Sequence, residues 1–147
     1  MNNQGTLNTP PVRQQLLDQK GRAWGSGKRK AARVSLRISP GNGKIIVNGK
    51  DYLEYFKSRP EYSEKEILRP FSAAGMTFDV SVKAKGGGLH GQGDAIRLAL
   101  ARAIVHYNPL LYPALRSHGL ITPDTRVVQS KKYGHVKARK SKPTSRR

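Results

Sequence analysis

The chain has 147 residues, with 28 Lys or Arg against 9 Asp or Glu, and its formal net charge is +19 at pH 7. This length is typical of one domain with extensions. No apolar run approaches the roughly 20 residues that a membrane-spanning helix requires. The sequence contains no Cys, which excludes disulfides and thiolate chemistry.

The positive charge is concentrated at the two ends of the sequence. Residues 1–37 carry +7, residues 38–125 carry +3, and residues 126–147 carry +9 without a single Asp or Glu. A segment so charged and so poor in apolar residues cannot bury enough apolar surface to compensate for the entropy that it would lose on ordering. It is therefore expected to become ordered only when it binds a polyanion. Membrane binding would require an amphipathic helix with aromatic or Leu anchors, which neither end has. We therefore predict an amino-terminal extension (1–24), a globular α/β domain (25–125) and an extended basic tail (126–147) that binds nucleic acid.

The first half of the domain is predicted to form strands and one short helix. Apolar and polar residues alternate over 33–38, as in a strand with one buried face. Turn-forming residues at 40–43 then predict a hairpin to a second strand over 44–48. Asp51 is expected to cap a helix over 52–57. That helix should turn two apolar side chains inward, Leu53 and Phe56.

The second half is predicted to contain the longest strand and the main helix. After a turn or two of helix at 64–68, residues 76–84 alternate from Met76 to Ala84 as a strand. Asp94 is a candidate cap for a helix over 95–107. A further helix over 108–118 should be disturbed by Pro113 and stopped by Gly119. Extended chain is expected from residue 121 onward.

A glycine-rich segment, Gly86-Gly87-Gly88-Leu89-His90-Gly91, joins the predicted strand to the main helix. It matches the G-x-G-x-x-G spacing of dinucleotide-binding loops, but Leu110 and Leu111 stand where that reading needs an acidic residue. A tight turn without a ligand is a second interpretation. We favour a third, in which backbone donors at the helix start bind an RNA phosphate with Lys83 and Lys85 nearby.

No pattern in the sequence indicates an enzyme. The four histidines have no metal-ligand spacing, and no paired carboxylates accompany a nucleophile. We therefore expect no catalytic activity, no metal, no cofactor and no small-molecule substrate.

Several separate motifs resemble small-subunit ribosomal protein nine, in the same order and over about 120 residues from Gly25 to the end. An early basic segment and two turn motifs carry the first part of the resemblance, and a central glycine signature and the tail carry the rest. These segments are Gly25-Ser26-Gly27-Lys28-Arg29-Lys30, Ala32-Arg33-Val34, Pro40-Gly41-Asn42-Gly43-Lys44-Ile45, Val47-Asn48-Gly49-Lys50, Lys85-Gly86-Gly87-Gly88 with Gly91-Gln92, Ala95-Ile96-Arg97, Arg102-Ala103, Thr122, Asp124, Arg126, Val128, Lys131-Lys132, Gly134 and Lys137-Ala138-Arg139-Lys140.

The resemblance implies a two-layer α+β fold, with a small, mostly antiparallel sheet and helices on one face, as in the second domain of ribosomal protein five. It also implies a place in the head of the small ribosomal subunit, with ribosomal RNA and neighbouring head proteins as partners. The tail would then contact transfer RNA in the peptidyl site. Tyr107-Asn108-Pro109 and residues 134–140 are closer to mitochondrial members. The mitochondrial matrix is therefore favoured, with bacterial cytoplasm or plastid stroma as alternatives.

The chain departs from the family pattern at two places. The path between Lys30 and Arg33 is about two residues shorter than in the bacterial pattern, and residues 1–24 have no counterpart in compact bacterial members. A free RNA chaperone or nucleoid protein is the alternative function, because it would need the same charge.

Candidate RNA-binding residues follow from the motifs and the charge. For ribosomal RNA they are Lys28, Arg29, Lys30, Arg33, Lys85, Gly86, Gly87, Gly88, His90, Gly91, Gln92, Arg97, Lys131, Lys132, Lys137, Arg139, Lys140 and Lys142. For transfer RNA they are Ser145, Arg146 and Arg147, since guanidinium groups suit bidentate phosphate contact.

Overall fold

The computed structural model of the chain describes residues 14–58 and 60–145. The main elements are five strands and four helices, with a short 3-10 turn before the last helix. In chain order they are β1 (Ala23–Arg29), β2 (Ala32–Pro40), β3 (Ile45–Val47), β4 (Lys50–Asp51), α1 (Tyr52–Tyr55), α2 (Pro60–Ala74), β5 (Phe78–Lys85), α3 (Leu89–Tyr107), the 3-10 turn (Pro109–Leu111) and α4 (Tyr112–Ser117).

The five strands form one mixed sheet in the order β1-β2-β5-β3-β4. Every neighbouring pair is antiparallel except β3 and β5, which are parallel. This confirms the predicted fold class of a small, mostly antiparallel sheet with helices packed on it. The order places β5, the most clearly alternating segment of the sequence, at the centre of the sheet.

The predicted hairpin between β2 and β3 is wrong, because β5 lies between these two strands. The connection passes over the start of β5, where Asp79 Oδ1 accepts hydrogen bonds from the backbone N–H groups of Gly43 (3.0 Å) and Lys44 (2.9 Å). A Cβ at Gly41 would collide with the same carboxylate, so a larger residue there would push the carboxylate out of this position. Asp79 thus holds the connection in a position that local turn patterns did not reveal.

The hydrophobic core lies between one face of the sheet and α3. The inward residues of β2 and β5 are Val34, Leu36, Ile38, Phe78, Val80, Val82 and Ala84, and all are buried. On β1 the inward positions include Gly25 and Gly27, where a Cβ would collide with the carbonyl oxygens of Ala99 and Ala95. The helix backbone therefore lies directly on β1, which explains why this strand has almost no apolar pattern.

Helix α3 begins at Leu89, with Gly88 as its N-cap, and it ends at Tyr107 as predicted. The expectation that Asp94 caps this helix is wrong, because Asp94 lies in its second turn. The predicted start at residue 95 was too late, because Gly91 and Gly93 are unfavourable in a helix interior and were not assigned to the helix. A Cβ at Gly91 would lie at ordinary contact distance, 3.5 Å, from the Ala32 Cβ, so the helix start packs closely on β2.

Helices α1 and α2 differ from their predicted forms. Asp51 caps α1, and its Oδ2 accepts a hydrogen bond of 3.3 Å from Leu53 N–H, as expected. The helix ends at Tyr55 instead of 57; Phe56 is buried, but Leu53 is exposed, contrary to prediction. The short helix expected at 64–68 is the much longer α2, whose buried Ile67 and Phe71 join the core.

The predictions for Pro113 and for Met76 were also wrong. The helix expected over 108–118 is divided into the 3-10 turn and α4, and Pro113 lies in the first turn of α4, where it removes no helical hydrogen bond. Gly119 follows that helix at φ +68°, as predicted. Met76 is partly exposed and precedes β5, so it is not part of the inward row.

The opposite face of the sheet carries polar and basic side chains and one aromatic ring. We call this surface the open face; it comprises Trp24, Ser26, Lys28, Arg33, Ser35, Arg37, Ser81, Lys83 and Lys85, which alternate with the buried positions of their strands. The core places the packed helices on the other face. Among residues 14–58 and 60–145, no helix is long and apolar enough to cross a bilayer.

Candidate RNA-binding surfaces

Three predicted RNA-binding cations form one row across the open face. Lys28 is the cross-strand partner of Arg33, and Arg33 is the partner of Lys85. All three side chains are exposed, and within the described part of the chain none of them forms a salt bridge. Like charges directly opposite on neighbouring strands are destabilising. A row of phosphates would relieve this repulsion, so the arrangement favours a polyanion as ligand.

The glycine loop begins where this row ends, directly after Lys85. Gly86 and Gly87 have φ values of +70° and +65°, which L side chains rarely adopt. A Cβ at Gly87 would lie 2.9 Å from the backbone nitrogen of Ala32, so the loop packs tightly on the start of β2. Gly88, by contrast, has φ −107° and open space around it. The loop therefore leaves the first turn of α3 accessible at Gly88.

A chain of hydrogen bonds through the buried side chain of Gln92 holds this loop in place. Gln92 is buried; its Nε2 donates to Gly86 O (3.1 Å), and its Oε1 accepts from the Tyr55 hydroxyl (2.8 Å). Asn48 pairs with the backbone of Ala84 through both side-chain atoms, at 2.9 and 3.0 Å. Gln92 was predicted to contact RNA, and the structure places it in this supporting role. An RNA contact by its side chain stays a prediction.

Arg29 is engaged within the protein. Its side chain is only 12% exposed, with Nη1 2.9 Å from Asp124 Oδ1 and Nε 3.4 Å from Asp94 Oδ2. The same Nη1 donates to Arg126 O at 3.2 Å. Arg29 thus joins β1, α3 and the start of the basic tail. RNA contact by this residue also stays a prediction, but its observed contacts anchor the tail.

Asp124 is the acidic partner in this anchor. Hydrogen bonds from Arg126 hold the pKa of the Asp124 carboxyl far below its ordinary value, and the Arg126 side chain contributes more to this than the Arg126 backbone N–H. Arg126 Nη2 lies 2.6 Å from Asp124 Oδ2. The carboxylate is therefore ionised at neutral pH and binds two guanidinium groups at the base of the tail.

Arg97 likewise forms ion pairs inside the domain. Its Nη1 lies 2.6 Å from Glu66 Oε2, and its Nη2 lies 3.9 Å from Asp94 Oδ1. The contact with Glu66 holds α3 against α2, and the contact with Asp94 lies within α3. His90, another candidate, is exposed and lies 4.0 Å from Asp94 on the same helix. In the described ranges no His, Asp and Glu residues cluster as metal ligands would.

The chain from residue 121 to residue 145, which includes the described part of the tail, contains no helix or strand. Its middle folds back on itself, because Val136 N–H donates to Lys140 O at 2.8 Å, and Arg139 Nε donates to Gln129 Oε1 at 3.2 Å. The candidate cations on this segment are exposed. They are Lys131, Lys132, Lys137, Arg139, Lys140 and Lys142.

The structure thus divides the candidates into three groups. One group is exposed at a single end of the sheet: Lys28, Lys30, Arg33, Lys85, Gly86, Gly87, Gly88 and His90, with Gly91 half-buried beside them. A second group, which is Arg29, Gln92 and Arg97, makes internal contacts. The tail cations form the third. Ser145 is the last described residue, and Arg146 and Arg147 lie outside the described residues.

Sequence reasoning named Lys83 as a neighbour of the glycine loop but missed Trp24 and Arg37 on the other half of the open face. Trp24 and Arg37 are cross-strand partners there, and Lys83 lies on the neighbouring strand. The alternation of β2 and β5 could have placed Arg37 and Lys83 on this face. Trp24 could not be placed, because β1 was not predicted.

A basic α+β domain with a basic carboxyl-terminal arm is typical of proteins that bind structured RNA through its phosphates. A family model described as "Ribosomal protein S9/S16" matches residues 27–147, and the chain therefore belongs to this family. It is accordingly a structural protein of the small ribosomal subunit that binds ribosomal RNA and serves translation. The family is a non-enzymatic class.

Proposed function

We propose that this chain is a component of the small-subunit head and uses two separate surfaces, one for ribosomal RNA and one for transfer RNA. The first surface is the row of Lys28, Arg33 and Lys85 with the glycine loop beside it. The second is the tail, whose tip contacts transfer RNA in the peptidyl site. The row of three cross-strand cations carries the proposal, since no salt bridge within residues 14–58 and 60–145 supplies a counter-charge to it.

The position of the tail anchor supports the second surface. Arg29, which binds the base of the tail, neighbours Lys28 and Lys30 in sequence at the same end of the sheet. An extended chain gains about 3.3 Å per residue, so the 22 residues from Arg126 to the end would reach at most roughly 70 Å once the fold-back between Val136 and Lys140 opens. Lysines along the tail would bind ribosomal RNA, while Arg146 and Arg147 would bind the transfer RNA backbone in a bidentate manner.

A charge-matched pair of triple variants tests the first surface. Lys28→Ala, Arg33→Ala and Lys85→Ala together should weaken binding to deproteinised small-subunit RNA. The slope of log affinity against log salt concentration should also fall by the share that about three phosphate contacts contribute. The control removes three exposed cations outside the open face, at Lys50, Lys57 and Arg116. Equal losses for the two triple variants would show that only net charge matters and would contradict the proposed surface.

We also propose a mitochondrial ribosome as the site of action, with bacterial and plastid ribosomes as the alternatives. The support is the Tyr107-Asn108-Pro109 segment, in which Asn108 Oδ1 caps the 3-10 turn by accepting from Leu110 N–H at 3.1 Å. Fractionation of cells that express the tagged chain tests this. Recovery with cytoplasmic ribosomes, and not with organellar ones, would contradict it.

A further inference from the structure

Trp24 is the only tryptophan of the chain, and half of its surface is exposed on the open face. Its backbone is fixed, because Trp24 O lies 2.7 Å from His106 Nδ1 and β1 pairs with β2 along its whole length. Among the side chains that the structure describes, no other aromatic ring stacks on this indole. A large apolar ring is thus held in place and presented to solvent.

The surroundings of this ring are basic and polar. Trp24 lies beside a depression of about 170 Å³ in the open face. This volume is smaller than the roughly 300–1,000 Å³ of a small-molecule site, so the depression suits one flat group of a larger ligand. Its lining is Trp24, Ser35, Leu36, Arg37, Ser81 and Lys83.

A second depression of about 250 Å³ adjoins the first and shares Arg37 and Ser81 with it. Two more cations border this second depression, Lys44 and Arg22, and Arg22 Nη2 forms an ion pair of 3.0 Å with Asp18 Oδ2. Its one acidic residue is Asp79, whose Oδ1 already accepts two backbone hydrogen bonds. The pair of depressions therefore offers an aromatic platform with guanidinium and ammonium groups on either side.

We propose that the open face binds a single-stranded segment of ribosomal RNA, with an unpaired base stacked on Trp24. Phosphates on the two sides of that base would contact Arg37 and Lys83. Aromatic rings on a sheet are a recurrent platform for unpaired bases, because every base has a π-face and the cations hold the backbone. This inference deepens the RNA binding of the family and does not depend on the tail reaching transfer RNA.

The composition of the face favours RNA over a protein partner. Protein interfaces are enriched in aromatic residues and Arg but depleted in Lys, and this face carries Lys28, Lys83 and Lys85. Here the ring is flanked by Arg37 and Lys83, and the row of Lys28, Arg33 and Lys85 continues on the same face. A paired helix would offer phosphates to these cations but no base face to the indole.

Because Trp24 is the only tryptophan, its fluorescence reports on this site alone. The full chain is titrated, in raised salt to weaken the tail's contribution, with an oligoadenylate of about ten nucleotides and separately with inorganic polyphosphate. We expect oligoadenylate to quench the emission and to protect the indole from acrylamide. Polyphosphate should bind without either effect, since it has no base to stack.

Variants separate stacking from charge. Trp24→Ala should weaken oligoadenylate binding roughly tenfold when measured by anisotropy of a labelled oligonucleotide, and Trp24→Phe should retain most of the affinity. Arg37→Ala with Lys83→Ala should reduce the quenching at a given concentration. Leu110→Ala is the control for the loss of an exposed apolar side chain, and it should change nothing.

Three results would overturn the inference. Oligoadenylate could bind with unchanged Trp24 emission and with equal affinity for Trp24→Ala, in which case RNA binding stands but lies elsewhere. Polyphosphate could quench as strongly as oligoadenylate, which would exclude stacking. The indole could become shielded only when proteins of the small subunit are added, which would assign the face to a protein. Failure to bind any RNA is a distinct result and would count against the RNA-binding function itself.

Discussion

Removal of the Arg29 side chain should both destabilise the domain and release the tail. Arg29→Ala would break ion pairs to Asp94 and Asp124 and a hydrogen bond to Arg126 O, at a site where the guanidinium is only 12% exposed. Exposed ion pairs contribute about 0–1 kcal/mol and buried ones cost about 3–5 kcal/mol to break. Since Asp124 is partly exposed and Asp94 keeps its contact with Arg97, we expect an intermediate loss of about 2 kcal/mol.

Urea unfolding monitored by Trp24 fluorescence measures this loss, and limited trypsin digestion measures release of the tail. The matched control is Lys50→Ala, which breaks an exposed ion pair of 3.9 Å to Glu54 and should cost less than about 0.5 kcal/mol. Arg29→Ala should also increase the rate of cleavage after Arg126. Equal stability of the two variants, with unchanged cleavage at Arg126, would refute the role of Arg29 as the tail anchor.

Three further predictions concern the loop, the tail tip and the acid stability of the anchor. Gly87→Val should destabilise the fold, because this residue has φ +65° and no room for a Cβ. Gly88→Val should melt like the parent protein and yet bind ribosomal RNA more weakly. Thermal melts measure the stability and filter binding measures the RNA affinity, and equal melting temperatures for the two variants would refute the loop geometry. Deletion of residues 145–147 should leave subunit assembly intact and weaken peptidyl-site transfer RNA binding roughly tenfold or less, while Arg147→Glu should be more harmful because it adds repulsion. Unchanged transfer RNA affinity in both variants would show that the tip does not reach the transfer RNA. Since the pKa of Asp124 is lowered, its stabilising effect on the anchor is complete above the ordinary value of 3.8 and is lost only as the pH falls below it. An NMR titration of the Asp124 carboxyl tests this, and a midpoint at or above 3.8 would contradict the ion-paired anchor.

Local sequence signals predicted the elements whose causes are local. The alternation from Phe78 to Ala84 gave the central strand, Asp51 gave the cap of α1, and Gly119 gave the end of α4. Each of these depends on side chains within a few residues of one another, so that periodicity and capping rules were sufficient.

The features that sequence reasoning missed depend on contacts between distant residues. Strand β1 has glycine at two inward positions because α3 lies against its backbone, and that requirement is invisible without the helix in place. The connection that leads to β3 is held by Asp79, which lies 36 residues from Gly43. In the anchor, Arg29 Nη1 donates to the backbone oxygen of Arg126, which lies 97 residues away.

The candidate site was predicted in part for the same reason. Charge and glycine content identified Lys28, Arg33, Lys85 and the glycine loop, but only the strand register aligned the three cations in one row. Charge alone could not distinguish these exposed cations from Arg29, which is held by carboxylates inside the fold.

Sedimentation of the chain with ribosomal particles tests whether it is held as a component of the small subunit. A lysate of cells that express the tagged chain is centrifuged through a sucrose gradient in high salt, which removes proteins held only by non-specific phosphate contacts. We predict that the chain remains with the small subunit, because the open face, the loop and the tail hold it at several separate places. Release of the chain into the free-protein fractions, with intact small subunits sedimenting without it, would contradict the account and favour a loosely bound RNA chaperone.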